Sequence, residues 1–201
     1  MSLIQASQKI QIYTWATRPG ATVSNGKIIK ISNVGYGGAL FISNGTRWMP
    51  LGGQVVVGHS NTTVALTGTL TETILATVTI PGGLMSGNGQ LEVKSLWSYT
   101  NVATNKEGRI RFGGIGGNQF MSFSFGTTDT AQGITIIRGN SLITQQMGAP
   151  NSSLTLGTSA SGLSSGTQNT ANDVDLVLTG KLNDVGNTLN LEGFTITYSE
   201  G

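Results

Sequence analysis

The chain offers a helix almost nowhere. No long stretch places apolar residues at i, i+3, i+4 and i+7, while period-two runs bounded by glycine or asparagine recur along its length. Side chains that alternate in this way suit a strand with one face on a core and one in water. Residues 9–15 alternate, and residues 27–31 follow the turn at Asn25-Gly26. Residues 39–42 run into Ser43-Asn44-Gly45-Thr46, and Asn-Gly between apolar runs is the strongest short hairpin signal. Longer strands are predicted at 73–80, 91–99, 109–112, 121–125, 134–138, 174–182 and 189–198. Within 91–99, Leu91, Val93, Ser95, Trp97 and Tyr99 share one face, with Glu92, Lys94 and Leu96 on the other. Along the last strand the apolar parity shifts from Leu189/Leu191 to Phe194/Ile196/Tyr198, which predicts a β-bulge at Gly193.

Ten to twelve strands with turns every 8–12 residues point to an all-β fold, a jelly-roll-like β-sandwich with a small N-terminal β module. A boundary is expected near Leu51-Gly52-Gly53, giving a module over 1–52 and a sandwich over 53–201. The module is too small to bury much core alone, so it is expected to pack on the second region or on a neighbouring subunit. The Ser/Thr/Asn/Gly tract over 150–172 is longer than a routine loop, a length that favours a functional or mobile segment.

Composition narrows the function. Charged residues are 10% of the chain, against about 25% in ordinary domains, and glycine, with 30 copies, has roughly double its usual share. The absence of cysteine removes disulfides, thiolate zinc sites and cysteine nucleophiles. The eleven Lys and Arg are scattered and form no basic stripe, so no nucleic-acid partner is expected. No apolar run is long enough for a membrane-spanning helix, and Met1-Ser2-Leu3-Ile4-Gln5 does not read as a secretory signal.

Catalytic signals are weak. The one histidine, His59, reads as an exposed loop residue, and no Gly-x-Ser-x-Gly elbow accompanies it. The nine carboxylates sit mostly in polar, turn-adjacent contexts that read as solvated surface, although two of them could form a glycosidase pair. Asp173 and Asp175 share a strand face and, with Asp184, form a possible calcium set that lacks the EF-hand glycine and glutamate. No metal and no cofactor is therefore assigned. The Gly113–Gly117 run lacks a following helix and reads as a turn rather than a phosphate cradle. Trp97 and Tyr99 read as core. Arg109 and Arg111 read as a solvated face, or else as a subunit or acidic-glycan contact. Loops carry function more often than scaffolds do. The candidate carbohydrate contacts are therefore Tyr36 among its glycines, Asn118, Gln119, Asp129 and the 150–172 tract.

Three pieces of the first region resemble a short module of tailed-phage structural proteins. These are residues 13–19, residues 26–31, and the hairpin Ser43-Asn44-Gly45-Thr46-Arg47-Trp48-Met49-Pro50, of pattern Ser-(Asn/Asp)-Gly-Thr-x-Trp-x-Pro. Residues 71–85, 96–101 and 109–114 resemble the start of phage tail-fibre or tail-spike C-terminal domains. The resemblance is weakest over 115–172. It implies a non-enzymatic virion component assembled in a host cytoplasm, with a jelly-roll-like tip that meets the host surface as a homotrimer. The implied partners are other virion proteins and host polysaccharide or lipopolysaccharide, without membrane insertion. It brings no catalytic residues. The 201 residues are expected to be too short for the long β-helix of depolymerase spikes, and to lack a shaft and an attachment domain. A short fibre or spike is therefore expected, with a head decoration or baseplate protein as the alternative and a small glycoside hydrolase behind both.

Overall fold

The computed structural model describes residues 9–35, 37–149 and 162–201, and they are all-β, with fifteen strands and no helix. The chain divides into two compact units, Met1–Val55 and Val56–Gly201.

The first unit holds one sheet of four strands, β1 (Gln11–Tyr13), β2 (Ile28–Ile31), β3 (Ala39–Ser43) and β4 (Trp48–Pro50), in that spatial order. β1 pairs with β2 in parallel, and the other pairs are antiparallel. The Asn44-Gly45 turn forms as its sequence predicts. Asn44 Oδ1 accepts from the amides of Thr46 and Arg47 at 2.9 Å, and Gly45 takes φ 85°, a conformation that favours glycine. One face of this sheet is buried through Ile29, Ile31, Phe41 and Trp48. Trp15 packs edge-on to Phe41 at 5.2 Å, and Trp48 Nε1 donates to the Pro19 carbonyl at 2.8 Å.

The second unit is a two-sheet sandwich. Its strands are β5 (Gln54–Ser60), β6 (Val64–Thr67), β7 (Thr73–Ile80), β8 (Gln90–Tyr99), β9 (Lys106–Phe112), β10 (Asn118–Phe125), β11 (Thr130–Asn140), β12 (Leu142–Gly148), β13 (Ser164–Gly166), β14 (Val174–Leu182) and β15 (Thr188–Ser199). One sheet runs β10-β9-β14-β7. The other runs β13-β12-β11-β8-β15-β5, with β6 also on β15. Successive strands cross between the sheets, from β7 to β8 to β9 and again from β14 to β15. Setting aside β12 and β13, this is the double Greek key of a jelly roll.

The two sheets meet through aromatic residues set against glycines. A Cβ on Gly133 would stand 2.1 Å from the Phe123 ring, and one on Gly108 would stand 3.0 Å from Phe125 and 3.2 Å from Trp97. Glycine there lets Phe123 reach β11 and Trp97 reach β9 in the opposite sheet. Tyr99 stacks on Phe125 at 4.5 Å, and Trp97 and Tyr99 are core residues. The bulge expected at Gly193 occurs as a register shift against β8 between Leu191 and Gly193. It keeps Leu189, Leu191, Ile196 and Tyr198 all buried.

Three readings change. His59 lies on β5 rather than in a loop, exposed, with Nδ1 3.2 Å from Thr195 Oγ1. β12 escaped the sequence reading because Leu142-Ile143-Thr144-Gln145 does not alternate, and all four side chains are exposed. The tract over 150–172 is not one loop. Residues 150–161 lie outside the described residues, while Ser164–Gly166 is strand β13 on β12 and Thr170 is buried.

Candidate functional site

One end of the sandwich gathers residues that the sequence scatters. β9 ends at Phe112 and β14 begins at Val174, antiparallel to it, so the Gly113-Gly114 turn and the Asp173–Asp175 segment meet. The amides of Gly113 and Gly114 both donate to the Asp175 carbonyl, at 2.8 and 2.9 Å. The segment before β14 is fastened across the same end. Gln146 and Gln168 exchange two hydrogen bonds, Gln146 Nε2 to the Gln168 carbonyl at 2.7 Å and the Gln168 amide to Gln146 Oε1 at 2.9 Å. Thr170 Oγ1 donates to the Met85 carbonyl at 2.8 Å.

Between these pieces lies an open groove of about 340 Å³ lined by Gly113, Gly114, Gln168, Asp173, Val174 and Asp175. Asp173 Oδ1 accepts from the Gly82 amide at 2.7 Å, and Asp175 Oδ1 accepts from Thr79 Oγ1 at 2.6 Å. Each contact orients its carboxylate, and both side chains stay exposed. Two oriented carboxylates beside a glutamine amide form an acceptor-rich set, suited to ligands that donate from hydroxyls.

The candidate contacts fare unequally. Asn118 opens β10, half-buried, and its Oδ1 accepts from Gln168 Nε2 at 3.5 Å and from the Thr167 amide at 3.4 Å, which ties it to the groove. Gln119 follows it, exposed, just before the β10 bulge. Asp129 is exposed beyond the other end of β10, and its carbonyl accepts from the Tyr99 amide at 2.9 Å. The length of β10 places the two ends roughly 23 Å apart at strand rise, so Asp129 does not join Asn118 and Gln119. Tyr36 and residues 150–161 lie outside the described residues.

The calcium reading is not supported. Asp184 caps its own turn, with its Oδ1 accepting from the Gly186 amide at 2.9 Å, and no group of three or more metal-ligating side chains assembles among the described residues.

Arg109 and Arg111 do not form a solvated face, since their side chains are 18% and 17% exposed and held by carboxylates. Glu72 takes Arg111 side-on, Oε1 from Nε at 2.7 Å and Oε2 from Nη2 at 2.9 Å. It also accepts from Arg109 Nη1 at 2.5 Å and from Thr179 Oγ1 at 2.6 Å. Arg109 holds Glu107 as well, and Arg111 reaches the Gly117 carbonyl at 3.2 Å. Burial by itself would raise the Glu72 carboxyl. The hydrogen bonds from Arg111 and Thr179 and the charges of both arginines outweigh it and hold the group at about 2. Glu72 therefore departs from the reading of the carboxylates as solvated surface. The network binds the start of β7 across β9 and β14, and its charges are satisfied internally.

Among the described residues no helix is long and apolar enough to cross a membrane. No protein-family model matches the chain, and no curated protein matches it. Among solved structures it is similar to the CBM2 module of the evolved Dit of Lactobacillus casei BL23 phage J-1, at 10% identity and TM-score 0.34, over 62% of this chain and 69% of that one. It is also similar to the infectious bursal disease virus Gx strain structure, at 9% identity and TM-score 0.28, over 73% of this chain and 40% of that one. The VP2 subviral particle of that virus matches at 10% identity and TM-score 0.29, over 74% and 41%. The chain thus spans about two fifths of the bursal disease virus chains. Likeness of this degree carries no argument about what the chain does.

Proposed function

We propose that this chain is a non-enzymatic structural protein of a phage particle, a short tail-fibre or spike component that binds host-surface glycan as a homotrimer. The observation that carries the binding part is the groove at Asp173, Asp175 and Gln168, with Asn118 beside it through Gln168. Carboxylates held by Gly82 and Thr79 accept hydroxyl hydrogens without first being ordered, which lowers the cost of binding. Their negative charge favours a neutral polysaccharide over an acidic one. Trp97, Tyr99 and the buried phenylalanines are unavailable for stacking, so recognition rests on hydrogen bonds. Single contacts of this kind are weak and gain avidity when repeated around a trimer. The virion assignment itself rests on the sequence resemblance.

The test is an array of bacterial surface polysaccharides probed with the full chain, alongside its sedimentation-equilibrium mass. The reading expects a mass near three times the 20.9 kDa of one chain. It also expects a signal on at least one neutral polysaccharide, falling at least tenfold in Asp175→Asn. A monomer with no signal on the array overturns it. The second reading, a head decoration or baseplate protein with only particle partners, is favoured by the exposed apolar face of the first unit's sheet.

A further inference from the structure

The sheet β1–β4 has two faces, and both are apolar. The register aligns Ile12 with Lys30 and Lys30 with Leu40, and it aligns Ile28 with Ile42 and Ile42 with Met49. These side chains lie opposite the buried set of Ile29, Ile31, Phe41 and Trp48. Ile12 is 65% exposed, and Ile10, Ile28 and Leu40 are 39–47% exposed. An outer sheet face ordinarily alternates to polar residues. Among the described strand residues, Lys30 is the one charge on it.

The charges around this face have one sign. Residues 1–71 contain no Asp or Glu, and the first unit carries Lys9, Arg18, Lys27, Lys30 and Arg47. The second unit carries six cations and all nine carboxylates. The cations are scattered along the chain, as the sequence reading has it, but the carboxylates are not. Lys9 and Lys27 line a groove of about 680 Å³ together with Ile10, Gln11 and Ile28, against the edge strand β1. β1 pairs on one side only among the described residues, so its other edge offers main-chain groups to an added strand.

We infer that the outer face of β1–β4, with its β1 edge, docks an extended segment of another protein that alternates aliphatic and acidic side chains. Aliphatic residues of such a segment cover Ile10, Ile12 and Ile28, and its carboxylates, alternating to the other side, meet Lys9 and Lys27, which stand two residues before Gln11 and Ile29. A second copy meeting this face with its own sets lysine against lysine with no carboxylate between them. A lipid surface leaves the β1 main chain unanswered. The inference does not rest on the glycan reading, because it concerns residues 9–49 alone.

The experiment uses the full chain and three fluorescein-labelled peptides, (Glu-Val)4, (Gln-Val)4 and (Lys-Val)4, read by fluorescence anisotropy. The acidic peptide is expected to bind at least tenfold tighter than the neutral one and to weaken as salt rises from 50 to 300 mM, on the order of the screening change. Binding is expected to fall at least tenfold in Ile12→Glu, while Lys27→Glu gains affinity for (Lys-Val)4. Both side chains are exposed, and circular dichroism checks that each variant folds. Equal affinity for the acidic and neutral peptides overturns the inference, as does an unaffected Ile12→Glu. Stronger binding to phosphatidylglycerol vesicles than to the acidic peptide would make the occupant a membrane. A concentration-dependent mass abolished by Ile12→Glu would make it a second copy. Either result overturns the inference.

Discussion

The two units treat their outward faces in opposite ways. In the first, the face away from the core is Ile12, Ile28, Leu40, Ile42 and Met49 around Lys30. In the second, β8 and β15 turn Glu92, Lys94, Ser98, Asn190, Thr195 and Thr197 outward, with Leu96 the one apolar side chain among them. Hydroxyls and amides there satisfy the charges locally. Glu192 accepts from Ser98 and from Thr63 Oγ1, and these hydrogen bonds hold its carboxyl below the usual range. This face of β8 and β15 suits water and hydroxyl-bearing ligands. The first unit's sheet suits contact with another protein, because four exposed aliphatic side chains, Ile10, Ile12, Ile28 and Leu40, share one face of it.

The largest expected effect separates the two faces of the first sheet. Ile31 is fully buried, and Ile31→Lys leaves an uncompensated charge in the core, costing about 4 kcal/mol or more. Ile12→Lys on the outer face is expected to stay within about 0.5 kcal/mol. Denaturant melts of the two variants check the contrast, and equal losses would erase the distinction between the faces. Next is the aromatic seam of the sandwich. Phe123→Ala opens a cavity over Gly133 and is expected to cost about 3–5 kcal/mol, read from the same melts.

Glu72→Gln is smaller, at about 2 kcal/mol, because it leaves two arginines with weakened partners. Its pH dependence is diagnostic. The folded carboxyl sits at about 2, below its ordinary 4.5, so its stabilisation is complete above pH 4.5 and fades as pH falls towards 2. The melting-temperature gap between wild type and Glu72→Gln is expected to close across that window, and a constant gap would assign the loss to packing. Smallest is Lys94→Ala. Its bridge to Glu92 is 2.8 Å, but the side chains are 53% and 31% exposed, so the loss is expected to stay under about 0.5 kcal/mol.

The sequence shows a good deal of this architecture and little of its site. Alternation over 91–99 fixes which side of β8 is buried, and the parity shift at Gly193 marks the bulge, because both are local consequences of the pleat. The groove is not local. Gly113 and Asn118 come from one stretch and Gln168 and Asp173 from another, with Asn118 and Gln168 50 residues apart, and no periodicity encodes their register. Arg109 and Arg111 look solvated because their partner, Glu72, is 37 and 39 residues away in sequence. The charge asymmetry was open to view in the sequence and appears only when carboxylates are counted by region. The apolar outer face was less visible, since Ile28-Ile29-Lys30-Ile31 shows two apolar sides without saying which is wet.

The contrast between the two outer faces is tested most directly by hydroxyl-radical footprinting of the full chain, read residue by residue. The account predicts that Ile12, Ile28 and Leu40 oxidise at rates typical of exposed aliphatics, while Ile31, Leu91 and Ile196 are protected. Protection of Ile12, Ile28 and Leu40 to the level of Leu91 in the isolated protein would contradict it, because the face would then already be covered without a partner.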